Sequence, residues 1–200
     1  ILPSSVIESR SGKTVENFNT DAEGRLILAD SLTYATEDPA RKPDLLIDVA
    51  SLTGPLVPSY PIGTAGIIGS NRALADLMVE IAKAKGEVLE AMDLPSDAEG
   101  RKYYKSAVAD MTNTNANKGP RFQGSSYGAW FLRQFVMTPD TPHLHFDIKG
   151  TDTDKLALVS PALFSAYALI EKLIEEGPNA LPKPKPASKK PKKGLGFTYQ

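Results

Sequence analysis

The stretch SGKTVENFNTDAEGRLILADSLTYA, residues 11–35, joins two hydrophobic patterns across a short polar segment. Residues 12–18 contain the β-branched Val15 and run into two turn-forming residues, which predicts a β-strand. From Gly24 onward, apolar residues recur at the three- and four-residue spacing of one helix face. The polar letters NTDAEGR between these patterns are therefore predicted to turn a strand into a helix.

Strand patterns and helix patterns continue to alternate along the rest of the chain. Residues 44–52 are a nearly continuous apolar run, which predicts a strand buried on both faces, and residues 62–70 and 143–148 predict two further strands. Three stretches with helical spacing predict helices: residues 71–85, 124–135 and 162–176. Strands that alternate with helices indicate an α/β fold, which we expect to be a mixed, mostly parallel sheet flanked by helices, followed by a basic C-terminal tail.

Charge divides the chain into two parts. All 24 acidic residues precede Gly177, whereas six of the 23 basic residues follow it: Lys183, Lys185, Lys189, Lys190, Lys192 and Lys193. We therefore assign residues 1–178 to a folded body and residues 179–200 to a Lys/Pro-rich tail. Two interpretations of the tail stay open. It is either a solvated polyproline-like extension or an electrostatic anchor that binds RNA or an acidic protein surface.

Composition excludes several kinds of site. The chain has no cysteine, which excludes disulfides, thiolate metal sites and a cysteine nucleophile and suits a reducing compartment. No apolar run approaches the ~20 residues of a membrane span. The first residues lack a methionine and a signal-peptide pattern, so we expect a processed chain or one cut from a longer protein. We expect it to be intracellular, either cytoplasmic or mitochondrial.

The polar segment carries two carboxylates beside an arginine. Asp21 and Glu23 offer the hard oxygen ligands that divalent cations prefer. Two residues apart in an extended segment, they would point to one face, at the carboxyl edge of the sheet. Arg25 could hold an anion or stabilise an oxygen that gains charge. The alternative, in which these acids only cap a helix, is the commoner meaning of so short a pattern.

The wider sequence resembles the leucyl aminopeptidase family of dimetal exopeptidases. Four blocks occur in the order typical of that family's catalytic domain: residues 11–35, LIDVASLTG (46–54), ADMTN (109–113) and HLHFDIKGT (143–151). The resemblance implies removal of N-terminal residues from peptides with the help of two divalent cations, zinc or manganese. It also implies association with other protein chains, because the family forms hexamers.

The resemblance further implies a role for individual residues. Asp21 and Glu23 match carboxylate metal ligands, Glu23 being the one that bridges the two ions. Arg25 matches a catalytic arginine that holds a carbonate-like anion near the scissile carbonyl. The loop that binds the first residue of the substrate corresponds to Ser51, Leu52 and Gly54. In such a site the cations lower the pKa of a bound water, polarise the carbonyl and hold the free amine.

The sequence departs from the family where the metal site should be completed. The family's other metal ligands, a lysine and two aspartates, and its second catalytic lysine lie upstream of the segment that these 200 residues cover. We therefore expect the chain to be inactive alone. The alternative function is a non-catalytic, aminopeptidase-derived structural subunit of a ribonucleoprotein or other multi-protein complex, anchored by its basic tail. A free-standing RNA-binding module is the weakest candidate, because the body is acidic.

Three other features have structural interpretations. A second DAEGR, residues 97–101, is predicted to start a helix. His143 and His145 could share one face of a strand and bind a metal, but the resemblance implies that this strand lies in the interior of the sheet, which favours a structural role. Tyr127 and Trp130 are expected to narrow the substrate pocket.

Overall fold

A computed structural model of the chain describes residues 2–54, 60–61, 63–115, 124–149 and 162–183. Its elements, in chain order, are β1 (Val6–Glu8), β2 (Thr14–Glu16), α1 (Gly24–Thr36), β3 (Leu46–Ala50), β4 (Ala65–Gly69), α2 (Arg72–Lys85), β5 (Leu89–Met92), α3 (Asp97–Tyr103), β6 (Met111–Thr112), α4 (Gly124–Arg133), β7 (His143–Asp147) and α5 (Leu163–Glu176). Short 3-10 helices occupy Thr20–Ala22, Pro39–Arg41 and Pro178–Ala180. The predicted α/β fold is confirmed. The tail from residue 184 onward lies outside the described residues.

The strands form two sheets. In the smaller one, β2 pairs antiparallel with β1 and parallel with β6. The larger sheet has the order β3-β7-β4-β5, in which β3 pairs parallel with β7, β4 pairs parallel with β5, and β4 pairs antiparallel with β7. Parallel pairs therefore predominate in a mixed arrangement, as predicted.

The strand predicted at residues 44–52 forms, but it is not buried on both faces. Within the described residues β3 is the end strand of its sheet, and Val49 is 50% exposed. Leu46 and Asp48 on the same strand are buried. The prediction failed because an apolar run does not reveal whether a strand has one neighbour or two.

Two hydrophobic clusters cover the two faces of the larger sheet. One contains Phe131 and Trp130 of α4 and Leu32 of α1, whereas the other contains Leu74 of α2 and Leu169 of α5. Side chains alternate along each strand, so β7 sends Leu144 and Phe146 into the second cluster and its two histidines to the opposite face. The first cluster packs α1 and α4 together.

The second DAEGR starts α3, as predicted. The Ser96 side chain accepts the Glu99 backbone N–H, and the Glu99 carboxylate accepts the Ser96 backbone N–H at 3.0 Å, which completes a capping box. A Cβ atom added to Gly100 would lie 2.2 Å from the nearest Trp130 ring atom, so glycine is required for the close contact of α3 with α4. The residues of this second DAEGR therefore cap α3 and pack it against α4.

None of the helices in the described ranges combines the length and the apolar character that crossing a membrane would require.

Candidate active site

A cavity of about 190 Å³ lies where the carboxyl ends of parallel strands from both sheets meet. The segments that follow β2, β3 and β6 contribute most of its wall, as expected for a site at the carboxyl edge. Its lining includes Asn19, Asp21, Arg25, Leu52, Thr53, Gly54, Tyr103, Tyr104 and Thr114. The site residues predicted around Arg25 and Leu52 thus come together, although they belong to different sheets.

Arg25 is the charged group at the back of this cavity, and it is buried. Its Nη1 atom donates hydrogen bonds to the Tyr104 hydroxyl at 3.0 Å and to the Asn113 carbonyl at 2.8 Å. Its Nε atom is buried and has no hydrogen-bond partner among the described residues. A buried guanidinium N–H without an acceptor is costly, so this geometry favours an anion as its missing partner.

Asn113 holds the segment that leads to Arg25. Its Oδ1 accepts the backbone N–H groups of Phe18 at 2.9 Å and Asn19 at 3.2 Å, and its Nδ2 donates to the Asn17 side chain at 2.8 Å. The side chain of Asn113 is fully buried, and all these bonds cross from β6 to the end of β2. The asparagine therefore fixes the turn that positions the carboxylates and the arginine.

Asp21 and Glu23 do not share a face of an extended segment, so that expectation was wrong. Asp21 lies in the 3-10 helix Thr20–Ala22, and Glu23 has helical backbone angles. The cause is local, since the Asn19 side chain accepts the Asp21 backbone N–H at 3.0 Å and draws the backbone into a turn. Both carboxylates are exposed, and Asp21 lines the cavity whereas Glu23 lies outside its lining.

The loop after β3 is held by Asp147. This buried carboxylate at the end of β7 accepts the backbone N–H of Leu52 at 3.1 Å and the hydroxyls of Thr53 and Ser125, the latter at 2.7 Å. The register of the two parallel strands places Ala50 opposite Asp147, which brings the carboxylate to the base of the loop. Of the predicted loop residues, Leu52 and Gly54 line the cavity, whereas Ser51 is exposed outside it.

A second device brings α4 close to the same loop. A Cβ atom added to Gly128 would lie 3.0 Å from the Leu52 side chain and 3.2 Å from that of Thr53, so glycine permits this close approach without displacing either side chain. The loop is therefore wedged between the end of β7 and the start of α4.

Two tyrosines form the wall opposite the loop. Tyr103 stacks on Tyr127 with ring centroids 4.0 Å apart, and Tyr104 lies parallel to Trp130 at 5.8 Å. Tyr103 and Tyr104 line the cavity, while Tyr127 and Trp130 support them from behind. Tyr127 and Trp130, which we expected to narrow the pocket, thus pack against Tyr103 and Tyr104 and do not line the cavity themselves.

Burial raises the pKa of Tyr104 to about 12, although the nearby Arg25 charge opposes the shift. The phenol therefore keeps its proton at neutral pH and presents a neutral oxygen to the guanidinium. Because Tyr104 does not cancel the charge of Arg25, the positive charge stays available to a ligand in the cavity.

The described residues do not complete a metal centre. They contain no group of three or more His, Cys, Asp or Glu side chains placed to hold an ion. Catalytic ions typically take three or more protein ligands, and the exposed Asp21 and Glu23 would leave most positions to water. These donors fit one edge of a metal site and do not fit a two-metal centre.

The two histidines form a separate, buried cluster. His143 Nε2 and His145 Nδ1 each lie 2.6 Å from a different oxygen of Asp48. Both rings are buried on β7, which lies between β3 and β4 in the larger sheet. Their structural interpretation agrees with this placement, since both nitrogens that face Asp48 are engaged by its carboxylate.

Four residues of the site were missed at the level of sequence: Tyr104, Asn113, Ser125 and Asp147. Two of them gave a recognisable signal, because Asn113 and Asp147 are polar residues at or just beyond the ends of predicted or short strands. The sequence gives no signal for Tyr104 and Ser125, which reach the site only through the packing of the fold.

A family model described as the catalytic domain of the cytosol aminopeptidase family matches residues 1–163. A probable cytosol aminopeptidase from Synechococcus sp. (strain CC9902) is 42% identical over 170 residues, which are 84% of this chain and 33% of that protein. A probable cytosol aminopeptidase from Rhodopseudomonas palustris (strain BisB18) is 40% identical over 149 residues, 74% of this chain and 28% of that protein. The chain thus spans about a third of the length of these relatives.

Solved structures show the same likeness. Leucyl aminopeptidase from Leishmania major in complex with actinonin superposes with a TM-score of 0.77 at 29% identity, over 86% of this chain and 32% of that one. The bottromycin maturation enzyme BotP in complex with Mn gives a TM-score of 0.73 at 29% identity, over 88% of this chain and 38% of that one.

Proposed function

This chain belongs to the cytosol aminopeptidase family, and we propose that it provides one half of a site that removes N-terminal residues from peptides. The observation that carries the proposal is the buried Arg25, whose Nε lacks a partner among the described residues and which shares a cavity with Asp21 and Leu52. This half binds an anion, orients the substrate's first residue and contributes two carboxylates.

Arg25 has the geometry of an anion-binding group. One edge of its guanidinium is fixed by Tyr104 and Asn113, which leaves Nε for an acceptor oxygen. A small oxyanion such as bicarbonate would satisfy that donor and would accept a proton from a nearby water. The arginine itself stays charged and acts by holding the anion in place.

The loop after β3 orients the peptide. Asp147 accepts the Leu52 and Thr53 backbone N–H groups, so the loop that lines the cavity is held before a substrate arrives. With Tyr103 opposite, the cavity accommodates a single residue between an apolar side chain and an aromatic ring. This shape suits the first residue of a peptide.

Metal chemistry needs more ligands than this chain presents. When bound, two zinc or manganese ions would polarise the scissile carbonyl and lower the pKa of a water. Asp21 and Glu23 would supply one edge of such a centre, and the remaining ligands would come from another segment or chain. We therefore propose that the 200-residue chain alone does not hydrolyse peptides.

Hydrolysis of a leucyl chromogenic amide by the purified chain, with Mn²⁺ or Zn²⁺ added, tests that statement. We expect no release of the chromophore above the rate with the metal alone. Turnover that disappears in Asp21→Ala would overturn it and would show that the chain completes its own centre.

Anion binding is tested separately, by the bicarbonate dependence of the unfolding temperature. Bicarbonate should raise this temperature, because a ligand that binds only the folded state stabilises it. The effect should vanish in Arg25→Met and persist in Arg101→Met, the same position of the second DAEGR. An equal response of both variants would mean that the anion does not bind at Arg25.

A second candidate function is a non-catalytic structural subunit of a larger complex. The incomplete donor set among the described residues, and the position of β3 at the end of its sheet there, favour it. Replacing the chain in its source cell by the Asp21→Ala/Arg25→Met double variant would separate the two. Intact assembly with unimpaired growth and unchanged peptidase activity would support the structural role, whereas intact assembly with loss of peptidase activity would support catalysis.

A further inference from the structure

Helix α5 carries an apolar stripe on its solvent side. Four large side chains recur there at spacings of four, three and four residues, with exposures of 54, 59, 46 and 79%: Leu163, Tyr167, Ile170 and Ile174. The opposite side of the helix buries Ser165 and Leu169 against the body. A surface helix usually turns polar residues to water, so a continuous outward stripe of this kind indicates a binding surface.

An acidic row borders the stripe. Glu171 and Glu175, four residues apart, form this row along the adjacent side of α5, which also carries the exposed Phe164. A hydrogen bond to the Glu171 carboxylate raises the pKa of Tyr167, which places that acid directly beside the stripe. The surface therefore pairs an apolar strip with negative charge.

The tail of the same chain has the complementary pattern. Residues 184–200 contain five lysines and no acid, followed by GLGFTYQ, in which Leu195, Phe197 and Tyr199 alternate with smaller or polar residues. A segment with this alternation can present its three large side chains on one side when extended. In the tail, the lysines precede the apolar residues, and on α5, acidic side chains border the apolar stripe.

The tail also begins close enough to reach the stripe. Leu181 is buried in the same hydrophobic cluster as Leu169 of α5, so the chain leaves the body beside that helix. The 14 residues of α5 extend ~21 Å, whereas the 17 residues of 184–200 can span up to ~56 Å. The tail is therefore long enough to turn back and follow the whole helix.

We propose that residues 184–200 fold back onto α5 of their own chain. The lysines lie along Glu171 and Glu175, and Leu195, Phe197 and Tyr199 cover the stripe. Tethering gives the tail an effective concentration in the millimolar range, so weak contacts are sufficient. The acidic protein surface that the basic tail binds is then the protein's own, independently of whether the chain is catalytic. A polyanion or another chain must displace the tail before it can use either surface.

The absence of cysteine allows a direct experiment on the full chain. A nitroxide attached to Tyr199→Cys should broaden the methyl NMR signals of Ile170 and Ile174, and it should leave the signal of Ile27 unchanged. Ile27 is a suitable internal reference because it is 64% exposed but belongs to α1, which packs in the other hydrophobic cluster. Raising the salt concentration should weaken the broadening.

A charge reversal separates this contact from non-specific collapse. Glu175→Lys should reduce the broadening, and the helix tolerates it because a cation suits the last turn of a helix. Glu8→Lys, an exposed acid on β1, is the matched control and should have no effect. Unbroadened Ile170 and Ile174 signals at low salt, or equal broadening in both reversal variants, would overturn the proposal. Broadening of equal size in a mixture in which the spin label and the isotope label are on different molecules would also overturn it, in favour of a second copy on the stripe.

Discussion

The Nη1 atom of Arg25 lies 3.0 Å from the hydroxyl oxygen of Tyr104, although 79 residues separate the two along the chain. The bond joins the start of α1 to the residue that follows α3. Both groups are buried, and the Tyr104 hydroxyl is one of two acceptors that Nη1 has among the described residues, the other being the Asn113 carbonyl.

Tyr104→Phe should lower the free energy of unfolding by about 1–2 kcal/mol, because it removes a buried acceptor of a charged donor. Tyr34→Phe is the control, since Tyr34 is 65% exposed and should change stability by less than about 0.5 kcal/mol. Urea unfolding of both variants measures the difference, and equal values would contradict the expected role of the hydroxyl.

The two DAEGR segments provide a matched pair of glycine substitutions. Gly100→Ala should destabilise the protein by about 1–3 kcal/mol or more, because the new methyl group overlaps the Trp130 ring. Gly24→Ala should be neutral or slightly stabilising, since no atom lies within 4 Å of the added carbon and alanine favours helices. Thermal unfolding tests both, and a comparable loss in Gly24→Ala would show that the contact with Trp130 is not the cause.

Stability should decline as pH rises above neutrality because of His145. Burial by itself would lower the pKa of His145, but the Asp48 carboxylate outweighs it and the pKa is raised. A raised folded-state pKa gives stability that is complete below about pH 6.5 and is lost as pH passes the folded-state value. Urea unfolding between pH 6 and 9 should show this decline.

Asp48→Asn should flatten that dependence, since it removes the charge that favours the imidazolium. Asp44→Asn, an exposed residue just before β3, should preserve it. The Asp48 carboxyl behaves in the opposite sense: burial would raise its pKa, but the two histidines outweigh burial and lower it. Its contribution therefore persists well into acid and disappears only as pH falls below the usual carboxyl range. If the free energy of unfolding declined with the same slope in wild type and in Asp48→Asn, the interaction of Asp48 with His145 would be excluded as the cause.

Asp147→Asn should loosen the loop after β3. An amide nitrogen facing the Thr53 and Ser125 hydroxyls loses acceptor capacity, and the expected cost is about 1–3 kcal/mol. The Leu52 and Thr53 amide protons should exchange faster with solvent, because both donate to this carboxylate. Asp110→Asn is the control, as Asp110 is an exposed acceptor of the Thr14 N–H at 2.8 Å. Unchanged exchange at Leu52 would mean that the strand ends alone hold the loop.

Local patterns predicted the elements well and their environment poorly. The strand-to-helix change near Gly24 and the capped start of α3 depend on neighbours within four residues, so they can be recognised in the sequence. The exposure of Val49 depends on strand order, which no local pattern contains. The 3-10 turn at Asp21 depends on one hydrogen bond, from the Asp21 backbone N–H to the Asn19 side chain. That bond favours a turn over the extended conformation that we expected.

The candidate site was predictable on one side only. Asp21, Arg25 and Leu52 belong to motifs that stand out in the sequence, and the structure brings all three to one cavity. The groups that hold them, Asn113 and Asp147, act across separations of 94 to 96 residues. Their positions at strand ends give a signal in the sequence, but the groups that they bind follow from strand pairing and become visible only with the fold.

Asn113 also sets a time order during synthesis. Residues 17–19, which lead into the turn containing Asp21, leave the ribosome 94 to 96 residues before the side chain that fastens them. At roughly 5–20 residues per second, that turn waits about 5 to 20 seconds for β6. Until then the carboxylates and Arg25 have water as their partners. The acquisition of an ordered cavity, and of any ion or anion bound in it, therefore follows the emergence of the middle of the chain rather than that of the motif.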